Sequence, residues 1–209
     1  MREYISHTEP IPFIIIKNCF PEKEVELMLG ECDRLSHLLQ YQAPVRSNDP
    51  VQKHNTQAGV DEQYVNRTVS PILKSMDSIY DDVKLQEKLK ALHWFYKSWF
   101  CTNNDGTFLS YSKKGDYYKG HQDIAVISWL YWLWNEPKPF KGGDLILPDY
   151  DIKIPVERNQ LMIFPSSIMH EVEPITDGYG RWTIARFLWL KSFGSTHQEA
   201  GGDWIEKKT

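Results

Sequence analysis

The sequence predicts a mainly β fold, a sandwich or barrel with helices ahead of it covering one face. Three observations carry this. The second half holds many short β-branched and aromatic runs, and turn signals such as Pro137, Pro139, Gly142-Gly143, Arg158-Asn159, Pro165, Gly178 and Gly180 separate them. Aromatic residues make up 13% of the chain, with eight Trp, which suits aromatic-lined strands better than a helical bundle. The 209 residues are 41% hydrophobic, enough for one domain with a real core.

Residues 11–17 (Ile-Pro-Phe-Ile-Ile-Ile-Lys) read as a strand. Pro21, Glu22 and Glu24 then mark a helix start, because Pro is tolerated in a first turn and acids suit its positive dipole end. Val25, Met28, Leu29, Cys32, Leu35 and Leu39 continue at helical spacing. Residues 41–66 are polar and aperiodic, with Pro44, Asn48-Asp49-Pro50 and Gly59, and read as a long loop that is a candidate lid. Ser70-Pro71 is an N-cap followed by a first helical residue, and Ile72, Leu73, Met76, Ile79 and Tyr80 give the stripe. Residues 81–90 either end this helix or extend it.

Strands are expected at 91–100 and 107–112, with Asn103-Asn104-Asp105-Gly106 as a hairpin turn between them. Further strands are expected at 124–134, 144–147, 152–156, 161–164 and 182–190. The organisation expected is one domain over 1–209: a helical support region with the loop (1–90), a β core (91–190) and a polar tail (191–209).

A net charge of −4 without a Lys/Arg run argues against a non-specific nucleic-acid binder. Cys19, Cys32 and Cys101 form no CxxC pair and read as reduced, mostly buried thiols. No basic-then-apolar leader opens the chain and the apolar stretch 124–134 is too short to cross a bilayer, so a soluble, cytoplasmic protein is expected.

His121-Gln122-Asp123 places two metal-ligand types two apart, on one side of a strand. His170 is the candidate third ligand. Two His and one carboxylate on one face suit non-haem Fe(II), with positions left open for reactants. His7, His37, His54, His93 and His197 lack this context and read as structural or exposed. Arg181 opens the last strong strand, where its forked guanidinium suits the distal carboxylate of 2-oxoglutarate. Thr183 shares its parity and joins the same carboxylate. Arg186 has opposite parity and is expected on the surface in an ion pair.

The ordered set Tyr111, Gly115, Tyr118, His121, Asp123, the strand Ser128 to Leu133, Gly142-Gly143-Asp144-Leu145, Phe164, His170-Glu171-Val172-Glu173-Pro174-Ile175, Gly178 and Arg181 resembles the prolyl 4-hydroxylase-like branch of the Fe(II)/2-oxoglutarate dioxygenases. The resemblance implies a double-stranded β-helix, a jelly-roll barrel. It implies Fe(II) on His121, Asp123 and His170, and 2-oxoglutarate gripped by Arg181. Tyr111 matches a tyrosine that hydrogen-bonds the co-substrate, and Tyr118 one on the substrate side. Leu130, Trp132, Leu145, Val172, Ala185 and Phe187 fall where the family lines its pocket, or are plain barrel core.

Two departures matter: Trp132 stands where many members have Tyr, and the collagen-modifying branch usually has Lys at the Arg181 position. The implied activity consumes O2 and 2-oxoglutarate, with ascorbate as a possible stimulant, and releases succinate and CO2. It hydroxylates an unactivated C–H bond, a prolyl residue in a peptide or protein being the first expectation. A free amino acid or small-molecule substrate, a nucleic-acid base demethylase of the same superfamily and a non-enzymatic jelly-roll binding module remain open, as does the oligomeric state. Neither a nucleic-acid nor a membrane partner is expected.

Overall fold

The structure, a computed structural model, describes residues 2–41 and 53–190. In chain order, β1 (Glu3–His7) and β2 (Phe13–Lys17) precede α1 (Glu22–Leu35). β3 (Gln40–Tyr41), β4 (Lys53–His54) and β5 (Thr56–Gly59) follow, then α2 (Pro71–Tyr80) and α3 (Val83–Leu92). The remainder is β6 (Asn104–Ser112), β7 (Tyr117–His121), β8 (Ile127–Leu133), β9 (Phe140–Gly142), β10 (Leu145–Leu147), β11 (Ile152–Ile154), β12 (Gln160–Pro165), β13 (His170–Val172), β14 (Ile175–Gly178) and β15 (Arg181–Trp189).

The strands form an eight-stranded sheet ordered β1-β2-β12-β8-β15-β6-β5-β3, a five-stranded sheet ordered β11-β10-β13-β7-β4, and the pair β14-β9. All pairings are antiparallel. Alternation along the large sheet splits its side chains between two cores. Ile14, Ile16, Trp129, Tyr131, Leu133, Leu161, Ile163, Trp182 and Ile184 join the stripes of α1, α2 and α3. Phe13, Ile15, Trp132, Met162 and Phe164 face the other way and join Leu145, Leu147 and Ile154 of the smaller sheet. The large sheet is therefore a partition, with helices on one side and the smaller sheet on the other.

Local signals set the helix starts. Ser70 accepts a hydrogen bond from the Leu73 N–H and Pro71 follows it. Asp82 caps α3 in the same way through the Leu85 N–H, so residues 81–90 open a separate helix and do not extend α2.

Several expectations are corrected. Residues 91–100 are not a strand: they complete α3 and enter a 3₁₀ turn over Trp94–Cys101, capped by His93, whose ring accepts from the Phe95 N–H. Its two buried residues, Tyr96 and Trp99, are three apart, which is the period of a 3₁₀ helix. With no strand before it, Asn103-Asn104-Asp105-Gly106 makes no hairpin turn, and residues 104–106 are the first rungs of β6 opposite Trp189 to Phe187. The 41–66 segment is not structureless either. Residues 53–66 contain β4 and β5, and β5 is zipped onto β6. The rest of the candidate lid, residues 42–52, and the tail at 191–209 lie outside the described residues. Cys19 and Cys32 are buried free thiols, but Cys101 is exposed. No described helix is long and apolar enough to cross a membrane.

Candidate metal centre and anion pocket

β7 and β13 pair so that His121 lies directly opposite His170. β7 stops at His121, so Asp123 is not a strand residue as the spacing suggested. It sits in the connection to β8, tied by its N–H to the Ser166 carbonyl at 3.0 Å. The three side chains still converge, with one ligand atom from each within 4.8 Å of the others. His121 Nε2 lies 3.5 Å from one Asp123 oxygen and His170 Nε2 lies 3.6 Å from the other.

Backbone carbonyls orient both rings. The Nδ1 atoms of His121 and His170 lie 2.9 Å from the carbonyls of Lys119 and Ile168. A carbonyl only accepts, so each Nδ1 carries the proton and each Nε2 turns a lone pair toward Asp123, as a metal requires. Burial pushes the His170 imidazole below its ordinary value, further favouring the neutral ring. Burial also pushes the Asp123 carboxyl up, but protonation of His121 or His170, which would turn an Nε2–H toward it, and the Ser128 hydrogen bond outweigh burial and hold it below the usual carboxylate value. Ser128 donates to Asp123 Oδ2 at 2.6 Å and meets Ser166 Oγ at 2.7 Å. Both serines are fully buried. Nothing local in the sequence marks this support, because it joins three separate segments.

Tyr118 stacks on His121 with ring centroids 3.5 Å apart. A register shift in the β7–β13 ladder lets residues three apart share a face, which plain alternation forbids. Burial, with Asp123 nearby, pushes the Tyr118 phenol up to about 12.

Arg181 begins β15 and is 1% exposed. One terminal nitrogen donates to Thr183 Oγ1 at 3.0 Å and the other to the Gly143 carbonyl at 2.8 Å. Its Nε has no partner. Burial pushes the guanidinium down from 12.5 to about 9, with Asp144 opposing weakly, so it remains charged at neutral pH. Its carbon centre sits 5.8 Å from the Trp132 ring. The Gly142-Gly143 pair makes room for this. Both have positive φ (74° and 75°), and a Cβ on Gly142 would lie 2.4 Å from the Pro174 carbonyl oxygen.

Trp132 and Leu145 belong to the core between the sheets, with Leu130 and Val172 packed against it. Thr183, Ala185 and Phe187 share the Arg181 face and stand opposite Trp132, Leu130 and Ser128. Tyr111 is not brought to the site. It pairs with Trp182, packs against that ring at a tilt with centroids 4.6 Å apart on the helix side of the sheet, and its hydroxyl accepts the Gly180 N–H. The residues of β6 that face Arg181 and Thr183 are Ser112 and Ser110. Arg186 is a second correction: it is 3% exposed, buried on the helix side between Asp77 (2.8 Å) and Asp105 (3.0 Å). Among the other histidines, His54 pairs with buried Asp116 at 2.7 Å.

Residues 106–189 match the 2OG-Fe(II) oxygenase superfamily. A PKHD-type hydroxylase of Xylella fastidiosa (strain M12) is 39% identical over 62 residues, 28% of this chain and 25% of the relative. One from Stenotrophomonas maltophilia (strain R551-3) is 35% identical over 77 residues, 35% of this chain and 32% of the relative. The chain thus spans about a quarter to a third of the length of these curated relatives. The fold is similar to a Pseudomonas putida prolyl-4-hydroxylase, with a TM-score of 0.63 at 17% identity over 88% of this chain and 95% of that one. It is also similar to a Trichoplax adhaerens prolyl hydroxylase solved with a hypoxia inducible factor peptide fragment, with a TM-score of 0.60 at 17% identity over 85% and 83%. The resemblance in the ordered motif is thus matched from two sides: residues 106–189 are similar to the 2OG-Fe(II) oxygenase superfamily, and the fold is similar to that of prolyl hydroxylases.

Proposed function

We propose that this chain is a single-domain Fe(II)- and 2-oxoglutarate-dependent enzyme that hydroxylates an unactivated C–H bond, with a prolyl residue of a peptide or protein as its first substrate class, a reading supported by the similarity of residues 106–189 to the 2OG-Fe(II) oxygenase superfamily. The facing sheets are read as a double-stranded β-helix barrel with helices on one face. The observation that carries the reading is the pairing of the His121–Asp123–His170 cluster with a buried arginine that makes no ion pair among the described residues. The residues fit both groups. Two neutral imidazoles and an ionised carboxylate are the donor set for Fe(II), and a buried cation with an unused N–H calls for an anion.

In this reading His121, Asp123 and His170 hold the metal, and Arg181 with Thr183 holds the distal carboxylate of the co-substrate. Bound iron supplies oxygen activation, coupled to conversion of 2-oxoglutarate to succinate and CO2. The chain supplies the rest. The carbonyls of Lys119 and Ile168 fix the ligand tautomers, Ser128 fixes the carboxylate, and Tyr118 presents an aromatic face beside His121 on the substrate side. Leu130, Trp132, Leu145 and Val172 keep the region between metal and arginine dry. Arg186 weighs against the base-demethylase reading, since Asp77 and Asp105 occupy it and it faces away from Arg181.

The test is succinate release from 2-oxoglutarate with Fe(II), ascorbate and air, over proline-containing peptides and free amino acids, with His121→Ala as the blank. Turnover stimulated by a peptide and absent in the blank is expected. Stimulation by free amino acids alone would replace the peptide substrate. A protein that binds 2-oxoglutarate without any dependence on Fe(II) would be a binding module and would overturn the reading.

A further inference from the structure

Side chains paired in register across an antiparallel sheet share a face. Ser112 pairs with Arg181. Thr56 pairs with Tyr111 on the far side of β6, which puts Asn55 next to Ser112. Trp182 pairs with Leu133, which puts Trp134 next to Arg181. Asn55, Ser112, Arg181 and Trp134 thus form one row on the face turned to the smaller sheet.

This row is short of partners. Asn55 is 8% exposed, its amide reaches Ser112 Oγ at 3.4 Å, and its other amide atom has no hydrogen bond. Arg181 Nε and Trp134 Nε1 are also buried and unpaired. Buried polar atoms are nearly always paired, so three orphans on one row around a lone cation mark a place built for a polar ligand. A half-turn of the Asn55 amide lets its oxygen accept from the Ser112 hydroxyl and turns its two N–H donors to that ligand.

We propose that Asn55, held by Ser112, is a second anchor for the distal carboxylate of 2-oxoglutarate beside Arg181. This rests on the functional reading above. It gives the carboxylate a donor from the segment between β4 and β5, next to β7 and its metal ligand. Closing the anion site therefore requires β5 to be seated on β6.

The experiment measures the equilibrium affinity of 2-oxoglutarate, without turnover, by calorimetry on the Fe(II)-loaded protein under argon. Asn55→Ala removes the donors. Asn55→Asp keeps the shape and the acceptor for Ser112 but turns a carboxylate toward the anion, and Arg181→Ala is the reference. Pyruvate, a 2-oxo acid without the distal carboxylate, is the control ligand. Loss of a hydrogen bond to a charged group predicts about tenfold weaker 2-oxoglutarate binding for Asn55→Ala. Asn55→Asp should lose more, with pyruvate binding unchanged in both. Circular dichroism melting identifies any variant that fails to fold, and the other variant then decides.

If Arg181→Ala weakens binding but the Asn55 variants do not, the anchor is refuted and the oxygenase reading stands. If Arg181→Ala itself binds 2-oxoglutarate normally, the anion pocket is misplaced and both fall. Equal weakening of pyruvate and 2-oxoglutarate in the Asn55 variants would also refute the anchor, since the effect would not pass through the distal carboxylate.

Discussion

Replacing Arg181 with Met should make the ligand-free protein more stable and the enzyme unable to hold its co-substrate. Arg181 is 1% exposed and ion-pairs with no carboxylate among the described residues. The fall of its pKa from 12.5 to about 9, at about 1.4 kcal/mol per tenfold, corresponds to ~5 kcal/mol of disfavour for the buried charge. Two hydrogen bonds, to Thr183 and Gly143, offset about 1–3 kcal/mol of it. Met fills a similar volume without charge, and such exchanges stabilise by about 1–4 kcal/mol. The net expectation is a gain of about 1–3 kcal/mol, and each kcal/mol raises Tm by roughly 2–4 °C in a domain of this size. Losing the cation from a buried charge pair costs about 2–5 kcal/mol of binding, so 2-oxoglutarate affinity should fall between about 30-fold and several thousand-fold. Differential scanning calorimetry of protein dialysed free of ligand measures the first effect and isothermal titration the second. A Met variant that melts lower than the parent and binds 2-oxoglutarate equally well would refute the reasoning on both counts.

Two other perturbations separate supporting residues from scaffold. Ser128→Ala removes the donor to Asp123 Oδ2 in a fully buried position, and Fe(II) affinity should fall about tenfold or more while the fold persists, as metal titration would read. Asp77→Ala leaves Arg186 with only Asp105 and also strips two contacts from Arg67. Asp77 is 37% exposed, so solvent screening holds the expected loss to about 1–3 kcal/mol in urea unfolding, with metal and 2-oxoglutarate binding unchanged because this network lies across the sheet from the site.

The parts of the site that could be read from sequence are those carried by one residue type at one spacing. His121, Asp123 and His170 converge as their chemistry suggested, and Arg181 and Thr183 touch as their shared parity suggested. The Ser70-Pro71 helix start held for the same reason, since a cap is a contact across three residues. The failures needed facts that a local pattern does not contain. Tyr111 was expected at the co-substrate, but parity within β6 means nothing until the register with β15 is known, and that register pairs it with Trp182. Asn55 was unreadable because its meaning comes from Ser112, 57 residues away. The aromatic run after His93 reads equally well as a strand until the burial of Tyr96 and Trp99 reveals a period of three.

β15 carries its own internal comparison. It buries two arginines on opposite faces, Arg186 at 3% exposed and Arg181 at 1%. Toward the helices, Arg186 is met by Asp77 and Asp105, and Arg67 knits those acids to Asp61. Toward the smaller sheet, Arg181 has a hydroxyl and a carbonyl, and Asp144 acts on it only through a weak field. Leaving a buried cation without a counter-ion costs several kcal/mol, and five residues further along the same strand the chain avoids that cost with acids from α2 and β6. The two environments differ because their charges have different tasks. Arg186 ties the helical layer to the sheet and is neutralised by the chain itself. Arg181 is left short of one anion, and the Asn55 and Trp134 atoms beside it are short of partners on the same row. Unpaired buried nitrogens occur on both faces, Arg186 Nε among them, so the difference between the two arginines is the counter-charge. Arg186 has two acids, while Arg181, on the face that also carries Ser128 toward the metal cluster, has none among the described residues, as a site for an anionic co-substrate requires.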